Sequence, residues 1–236
     1  MAAAAAIRPA AMTDHPGSPP GSAEPSGLRR QPRQARSQER VRRILEAAEA
    51  LFVSDGVGTT TTNAIAARAG VPIGSLYQFF PDKGAILRSL ARRYGEQLHG
   101  ELAALEQEEG ATLDLDAYIE AVVARTDRFF AEHPGYQAIF IDLQSSTPDL
   151  VAIEEETDAR LVADWSVALG ARAATAGAGL SPEEAGLMAY VLVKTIGNLL
   201  WLSLSQPPPM RARLVKETVQ LAVAYLRPRI EGDPGG

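Results

Sequence analysis

The sequence contains no cysteine, which excludes disulfide bonds, thiol catalysis and zinc sites built on cysteine. Histidine is also rare. His15 lies in an N-terminal stretch without an apolar period, and His99 and His133 have no His or acid at metal-ligand spacing such as i, i+4. We therefore expect no metal site and no bound cofactor.

Patterns that carry catalysis are absent as well. There is no glycine-rich phosphate loop, no nucleophile elbow and no pair of acids with a reason to face each other. These absences predict that the chain is not an enzyme, and they give no support to an enzyme fused to a binding unit. No useful stretch alternates apolar and polar residues as a strand would, so we expect an all-α fold.

Positive charge is scarce overall, since the net charge is −6, but it is unevenly placed. Residues 1–97 hold 13 Lys and Arg against 8 Asp and Glu, whereas residues 98–236 hold 10 against 21. A basic front and an acidic back are typical of a protein that touches DNA at one end only.

A long apolar run occurs only once, at residues 185–205, where it approaches membrane-spanning length. Lys194 and Asn198 lie near its middle, and a central Lys costs about 2.5–3.5 kcal/mol on insertion scales. The alanine run that opens the chain lacks the basic segment of a signal peptide. We expect a buried helix in a soluble, cytoplasmic protein without a membrane partner.

The most informative segment, residues 56–83, reads GVGTTTTNAIAARAGVPIGSLYQFFPDK. Its threonines open a short helix, Gly70 ends that helix in a left-handed turn, and Pro72 starts a second one. Ala66 and Ala69 are small enough for two helices to cross closely, with Ile65 and Leu76 as an apolar plug between them. This pattern predicts a helix-turn-helix, in which the helices cross at about 90–120°, rather than an ordinary helical hairpin.

The exposed side of the second helix, which begins at Ile73, would then enter the DNA major groove. The side chains that we expect to touch base edges flank the backbone of Gly74 and are Ser75, Gln78 and Phe79. The groups that we expect to bind phosphates are Thr60, Thr61, Thr62, Tyr77 and Lys83, together with Arg33 and Arg36 from the preceding basic run.

This segment resembles the TetR family of bacterial transcriptional regulators over about residues 38–97. The matching residues are Gly56, Thr60, Thr61, Ile65, Ala66, Ala69, Gly70, Val71, Gly74, Ser75, Leu76, Tyr77, Phe80, Pro81 and Lys83. There are two departures: Val57 stands where the family usually has an aromatic residue, and Pro72 where a capping Ser is common. They affect packing and the helix cap.

Composition divides the chain into five parts. Residues 1–27 and 229–236 are expected to be disordered tails, residues 28–37 a basic arm, residues 38–97 a three-helix DNA-binding domain and residues 98–228 a helical domain. The arginines of the arm are either a solvated tail or, as we favour ahead of a helix-turn-helix, a segment lying along phosphates or in a minor groove.

Two of the expected C-terminal helices, 182–205 and 210–226, indicate a dimer. The first is apolar nearly all round, so it must be buried on several sides, and pairing with its copy would achieve that. The resemblance implies the same interface. Two recognition helices related by a twofold axis would read a palindromic operator.

Aromatic residues cluster on the helices that surround a ligand cavity in proteins of the resembled family. The predicted pocket residues are Tyr118, Phe129, Tyr136, Phe140, Trp165, Tyr190, Asn198 and Trp201. Further polar candidates are Gln137, Asp142, Gln144 and Lys194. Core filling is the plain alternative for each aromatic, and we expect Glu154, Glu155 and Glu156 to form a solvated helix face.

The sequence thus predicts a dimeric repressor that binds double-stranded operator DNA and responds to a largely apolar small-molecule effector. The alternative is a constitutive DNA-binding or scaffolding protein whose C-terminal domain binds a protein partner. A packed C-terminal domain would favour the second hypothesis, whereas an open cavity would favour the first.

Overall fold

The computed structural model describes residues 31–143 and 148–231, with side chains for residues 34–139 and 150–231. Within these ranges the secondary structure is entirely helical. The helices are α1 (Gln31–Asp55), α2 (Thr62–Ala69), α3 (Ile73–Phe79), α4 (Lys83–Glu109), α5 (Leu115–Glu132), α6 (Pro134–Leu143), α7 (Pro148–Thr175), α8 (Pro182–Ser203) and α9 (Pro208–Ile230). The predicted all-α fold class is confirmed.

At the starts of α2, α4, α5 and α8 a short polar side chain satisfies an otherwise unpaired amide. The Asp82 carboxylate accepts from the Ala85 amide at 2.7 Å at the start of α4, and Asp114 accepts from Ala117 at 2.9 Å at the start of α5. At α8, Ser181 and Glu184 form a reciprocal capping box. The predicted start of this helix at Pro182 is confirmed.

The first and last helices extend further than the sequence pattern predicts. Helix α1 begins at Gln31, so the expected basic arm at 28–37 is helical from Gln31 onwards. Helix α9 continues through Pro228 to Ile230, although we expected Pro228 to end it and residue 229 to begin a tail. Ile230 is 2% exposed, and its burial holds the last turn despite the amide that Pro228 lacks. The predicted tail at 1–27 lies outside the described residues.

The chain divides into a unit that ends at Gln38 and a unit that begins at Glu39, so the boundary between them falls within α1. Within the second unit one apolar core runs from α1 to α9. Helix α4 carries this core from the helix-turn-helix into the C-terminal helices, with Leu87 and Leu90 near one end and Leu98, Leu102 and Leu105 towards the other.

Candidate DNA-binding surface and effector cavity

Helix α3 presents an exposed ridge above a buried anchor. Leu76 is fully buried, whereas Ile73 and Tyr77 are 37% and 50% exposed and Gly74 and Gln78 are exposed beside them. Burial of a leucine of this kind stabilises the fold by roughly 1.5–3 kcal/mol. It therefore holds the ridge (Ile73, Gly74, Tyr77 and Gln78) in one orientation while the ridge stays exposed to solvent.

The turn between α2 and α3 follows the sequence pattern. Gly70 has φ 61° and ψ 40°, the left-handed conformation that glycine adopts without strain. The guanidinium of Arg43 on α1 donates to the carbonyls of Ala69 and, at 3.2 Å, of Gly70. This contact puts a cation at the negative end of α2, a role that the position of Arg43 in a basic run does not reveal.

A hydrogen bond joins the two helices on the same exposed side. The hydroxyls of Thr62 and Tyr77 lie 3.0 Å apart, and either one can donate to the other. Both belong to the predicted phosphate-binding set. The bond fixes the tyrosine ring in place and leaves hydroxyl lone pairs and a proton at the surface, as contact with a phosphate oxygen requires.

Two other threonines of that set have structural roles. Thr60 is 4% exposed, and its hydroxyl donates to the carbonyl of Gly56 at 2.7 Å and to that of Leu51 at 3.3 Å. Thr61 is the N-cap of α2 and accepts from the Ala64 amide at 3.2 Å. The expected phosphate contact is wrong for the Thr60 side chain, because the loop folds back to satisfy the end of α1.

Lys83 also departs from the prediction. Its ammonium donates to the carbonyls of Val57, Thr60 and Gly58 at 2.6, 3.0 and 3.3 Å. A lysine has three donor hydrogens, so these three oxygens account for all of them. Lys83 holds the loop before α2 in place, and this geometry replaces the phosphate contact that we expected.

The remaining DNA-binding candidates differ in accessibility. Phe79 is half-buried and packs against the core, so it is a weaker candidate for base contact than Gln78. Ser75 is partly exposed and Arg36 is exposed. The side chain of Arg33 lies outside the described side chains.

A cavity of about 120 Å³ that is partly open to solvent lies between α4, α5, α6, α7 and α8. Its lining residues are Leu98, Leu102, Val122, Thr126, Phe130, Tyr136, Glu154, Asp158, Leu161, Trp165, Val193, Lys194, Ile196, Gly197, Asn198 and Trp201. Most of the wall is apolar or aromatic, and the charged groups come from α7 and α8. An apolar wall with a few polar groups is the composition of a ligand site, and the volume fits a small ligand.

The charged part of the wall contains two acids and one base. Lys194 forms an ion pair with Asp158, and the Asn198 amide donates to the Lys194 carbonyl at 2.9 Å. Burial opposes the charged form of Lys194, but the hydrogen bond and charge of Asp158 together with Glu154 outweigh it, and its pKa lies above the ordinary value. Burial also raises the pKa of Glu154, and the charge of Asp158 adds to this effect.

Several predicted pocket residues lie in this wall, namely Tyr136, Trp165, Lys194, Asn198 and Trp201. Phe129 does not line it: the phenyl ring is fully buried and stacks on His133 at 4.2 Å between centroids. Tyr190 is 53% exposed and is not part of the wall. The side chains of Phe140 and Asp142, and all of Gln144, lie outside the described residues.

Tyr118 lines a different hollow. A groove of about 290 Å³ runs between α4, α5 and α7, and Tyr118 and Trp165 both face it. The guanidinium of Arg172 lies over the Tyr118 ring at 3.9 Å from its centroid. Gln137 donates at 3.3 Å to the Phe130 carbonyl and lines neither hollow.

Glu154, Glu155 and Glu156 are all exposed as predicted, and Glu154 in addition borders the cavity. Sequence reasoning missed Asp158 altogether. The signal that could have found both is their i, i+4 spacing, which puts them on one face of α7.

Helices α8 and α9 leave apolar side chains uncovered. The exposed fractions are 63% for Leu187, 53% for Tyr190 and 58% for Leu202 on α8, and 46% for Met210 and 50% for Leu221 on α9. Among the described helices only α8 is long and apolar enough to cross a membrane, on length and composition alone.

Comparison with known proteins places these features in a family. Residues 44–90 match the family model for bacterial regulatory proteins of the tetR family, and residues 114–226 match the model for a tetracyclin repressor-like C-terminal domain. Together the two models cover about two thirds of the chain.

Individual relatives agree. The nucleoid occlusion factor SlmA of Actinobacillus pleuropneumoniae serotype 5b is 30% identical over 103 residues, which are 43% of this chain and 50% of that protein. The chain thus spans about half the length of this curated relative. The HTH-type transcriptional regulator HbdR of an Aromatoleum species is 28% identical over 156 residues, 66% of each chain.

A solved structure shares the fold. The SmeT–triclosan complex superposes with a TM-score of 0.59 at 24% identity, over 78% of this chain and 90% of SmeT. The helix-turn-helix and the helical C-terminal domain are therefore each matched in sequence and in architecture. The chain belongs to the TetR family of bacterial transcriptional regulators.

Proposed function

We propose that the protein is a cytoplasmic repressor that binds a palindromic operator as a homodimer and leaves it when a small molecule occupies the cavity. The observation that carries this proposal is the combination of an exposed, anchored ridge on α3 with an aromatic cavity in the same chain. The cavity favours an effector-controlled regulator over a constitutive DNA-binding protein, whose C-terminal domain would need no internal space.

Within this proposal, Gln78 determines which bases are preferred, because its side-chain amide can form hydrogen bonds with a base edge. Thr62 and Tyr77 bind phosphate from their shared hydrogen bond, and Arg36 adds charge. The backbone of Gly74 approaches the DNA closely, since no side chain stands there. The amide of Thr61 at the start of α2 is placed to help, whereas the side chains of Thr60 and Lys83 act inside the protein.

Dimerisation uses the uncovered apolar face of α8 and α9, whose largest members are Leu187, Tyr190, Leu202, Met210 and Leu221. Burying this face against its copy forms a four-helix interface of the kind found in helical bundles. A twofold axis then sets the two α3 ridges about 34–36 Å, or a multiple of that distance, apart on the DNA.

The effector acts through Tyr136, which belongs both to the cavity wall and to the contact between α6 and α4. Its ring lies 5.7 Å from Trp201 in the cavity and 5.8 Å from Tyr94 on α4, both edge-to-face. Arg93, next to Tyr94, forms an ion pair with Glu49 on α1. A ligand that moves Tyr136 therefore shifts α4 and α1, and it does so only through its different affinity for the two arrangements.

The DNA-binding part of the proposal is tested by selecting preferred sequences from random double-stranded DNA with the full chain and with the variant Gln78→Ala. The wild type is expected to select a palindrome, and the variant to change the preferred base at one position of each half-site. Gln97→Ala, on an exposed position of α4, is the matched control and should select the wild-type sequence. A selected sequence without twofold symmetry contradicts the proposal.

The dimer is tested by sedimentation of Leu187→Asp. We expect this variant to sediment as a monomer and to lose operator binding, while Val151→Asp remains a dimer. Val151 is the matched control because it is an exposed apolar residue, 46% accessible, on α7. Dissociation of both variants, or of neither, would remove α8 from the interface.

A further inference from the structure

The cavity holds more than an apolar site requires. Four aromatic residues form part of its wall: Phe130 and Tyr136 stack at 5.0 Å between centroids, Trp201 lies edge-on to Tyr136 at 5.7 Å, and Trp165 faces them across the space. The faces of aromatic rings carry partial negative charge and attract cations within about 6 Å. Such a wall suits a ligand with both an apolar body and a positive group.

The charged residues of the wall sum to a negative charge, which is complementary to a positive group on a ligand. Asp158 and Lys194 neutralise each other in their ion pair. Glu154 borders the same cavity, and among the described residues no ion pair or hydrogen bond engages its carboxylate. The charged groups that act on Glu154 are Asp158 and Glu155 on α7 and Lys194 on α8. With two acids and one base, the cavity carries one negative charge in excess.

We infer that the effector is an organic cation, an amine with an aromatic or aliphatic body about the size of a single ring. Its ammonium group binds the Glu154 carboxylate, and its apolar body lies among Tyr136, Trp165 and Trp201. This inference rests on the proposed function and replaces the largely apolar effector that the sequence suggested.

Other ligand classes fit the cavity less well. Glu154 keeps solvent exposure, so a neutral apolar ligand, which displaces water from its carboxylate and offers no partner, gains less than an amine that supplies a charged hydrogen bond. An anion would meet Glu154 and Asp158 directly and would have to break the pair with Lys194 to gain a partner. The size estimate follows from the volume of about 120 Å³, since an apolar protein cavity of about 150 Å³ is known to hold benzene.

The chain offers a direct probe. It contains two tryptophans, Trp165 and Trp201, and both line the cavity. Ligand entry is therefore expected to change the intrinsic fluorescence. We would titrate the full chain without DNA, at neutral pH, with benzylammonium, benzyl alcohol and benzoate, three probes that share one ring and differ in charge.

Benzylammonium is expected to give a saturable fluorescence change at the lowest concentration. Benzyl alcohol should bind at least about tenfold more weakly, because it cannot form a charged hydrogen bond with Glu154. Benzoate should not saturate the signal, because its negative charge is repelled by the Glu154 carboxylate. The variant Glu154→Gln should weaken benzylammonium about tenfold and leave benzyl alcohol unchanged. Glu155→Gln is the matched control, since it removes an equal charge from the exposed face of α7, and it should behave like the wild type.

Equal affinity for the cation and the alcohol, preference for benzoate, or equal weakening by the two glutamine variants would overturn the inference. The charge series on the wild type decides the question even if a variant misfolds. The experiment also separates the two proposals. A cation that binds without releasing operator DNA contradicts the proposed switching and leaves the ligand class standing, whereas release by a neutral or anionic compound alone contradicts only the ligand class.

Discussion

Gly135 at the start of α6 lies directly against the phenol of Tyr94 on α4. A methyl group at Gly135 would overlap the phenol oxygen and the side chain of Glu49 on α1. Three helices thus meet at a point where only a hydrogen fits. The Tyr94 oxygen is buried beside the side chains of Glu49 and Arg93, without a hydrogen bond of good geometry among the described residues, and the adjoining Tyr136 reaches the cavity.

The variant Gly135→Ala is expected to destabilise the protein by about 1–3 kcal/mol, because an overpacked site must shift its neighbours. Removing the overlapping oxygen by Tyr94→Phe should restore part of that loss in the double variant. Alone, Tyr94→Phe should cost little, since the hydroxyl that it deletes makes no hydrogen bond of good geometry. A double-mutant cycle from urea unfolding measures the coupling. Purely additive effects would mean that α6 and α4 do not press on each other at this point.

Gly74 provides a test of the α3 ridge that leaves the fold intact. A Cβ atom at this position meets nothing within 4 Å, and alanine favours a helix by roughly 0.5–1 kcal/mol over glycine. We expect Gly74→Ala to keep or raise the thermal stability while it weakens operator binding, because the new methyl group holds the backbone away from the DNA. Gly100→Ala on α4, also in open space, is the control and should bind normally. Unimpaired binding by Gly74→Ala would exclude close approach of this backbone to the duplex.

The helix-turn-helix could be predicted from the sequence because its determinants are local. Gly70 ends α2 by its own backbone preference, Asp82 caps the helix that follows it, and the spacing of Ile65 and Leu76 places both in the plug, where each is fully buried. Helix ends and caps depend on residues within about one helical turn. The capping box that opens α8 was predictable for the same reason.

The cavity was predictable only in part, because a helix turns about 100° per residue and sequence does not fix the absolute rotation. Phe129 and Phe130 are neighbours, yet the first packs on His133 and the second faces the cavity. The role of Lys83 was hidden for another reason. Its partner carbonyls lie 23 to 26 residues earlier in a loop, and no periodic pattern records a contact between a side chain and distant backbone.

The structural role of Lys83 leads to a prediction that separates stability from DNA affinity. Lys83→Met should lower the free energy of unfolding by about 1–3 kcal/mol, since three loop carbonyls lose a charged donor. The dependence of operator affinity on salt should keep its slope, whereas a phosphate contact would reduce the slope by about 1. Arg36→Ala is the comparison: it is exposed, and we expect it to flatten the slope without loss of stability. A flatter slope for Lys83→Met would return this lysine to the DNA contacts.

The raised pKa of Glu154 predicts a pH-dependent stability difference that needs no ligand. Burial and the charge of Asp158 disfavour the ionised form in the folded state, so folding is favoured while this group is protonated and loses stability as the pH rises from the ordinary value of 4.5 through the raised pKa. Glu154→Gln removes that loss. The variant should therefore match the wild type at acidic pH and exceed it in stability at neutral pH, as urea unfolding from pH 4 to pH 8 would measure, with the same series on Glu155→Gln as the control. If the wild type gained stability over Glu154→Gln as the pH rose, the carboxylate would have to be stabilised in its ionised form by a partner in the folded protein, and the excess negative charge that we assign to the cavity would already be neutralised.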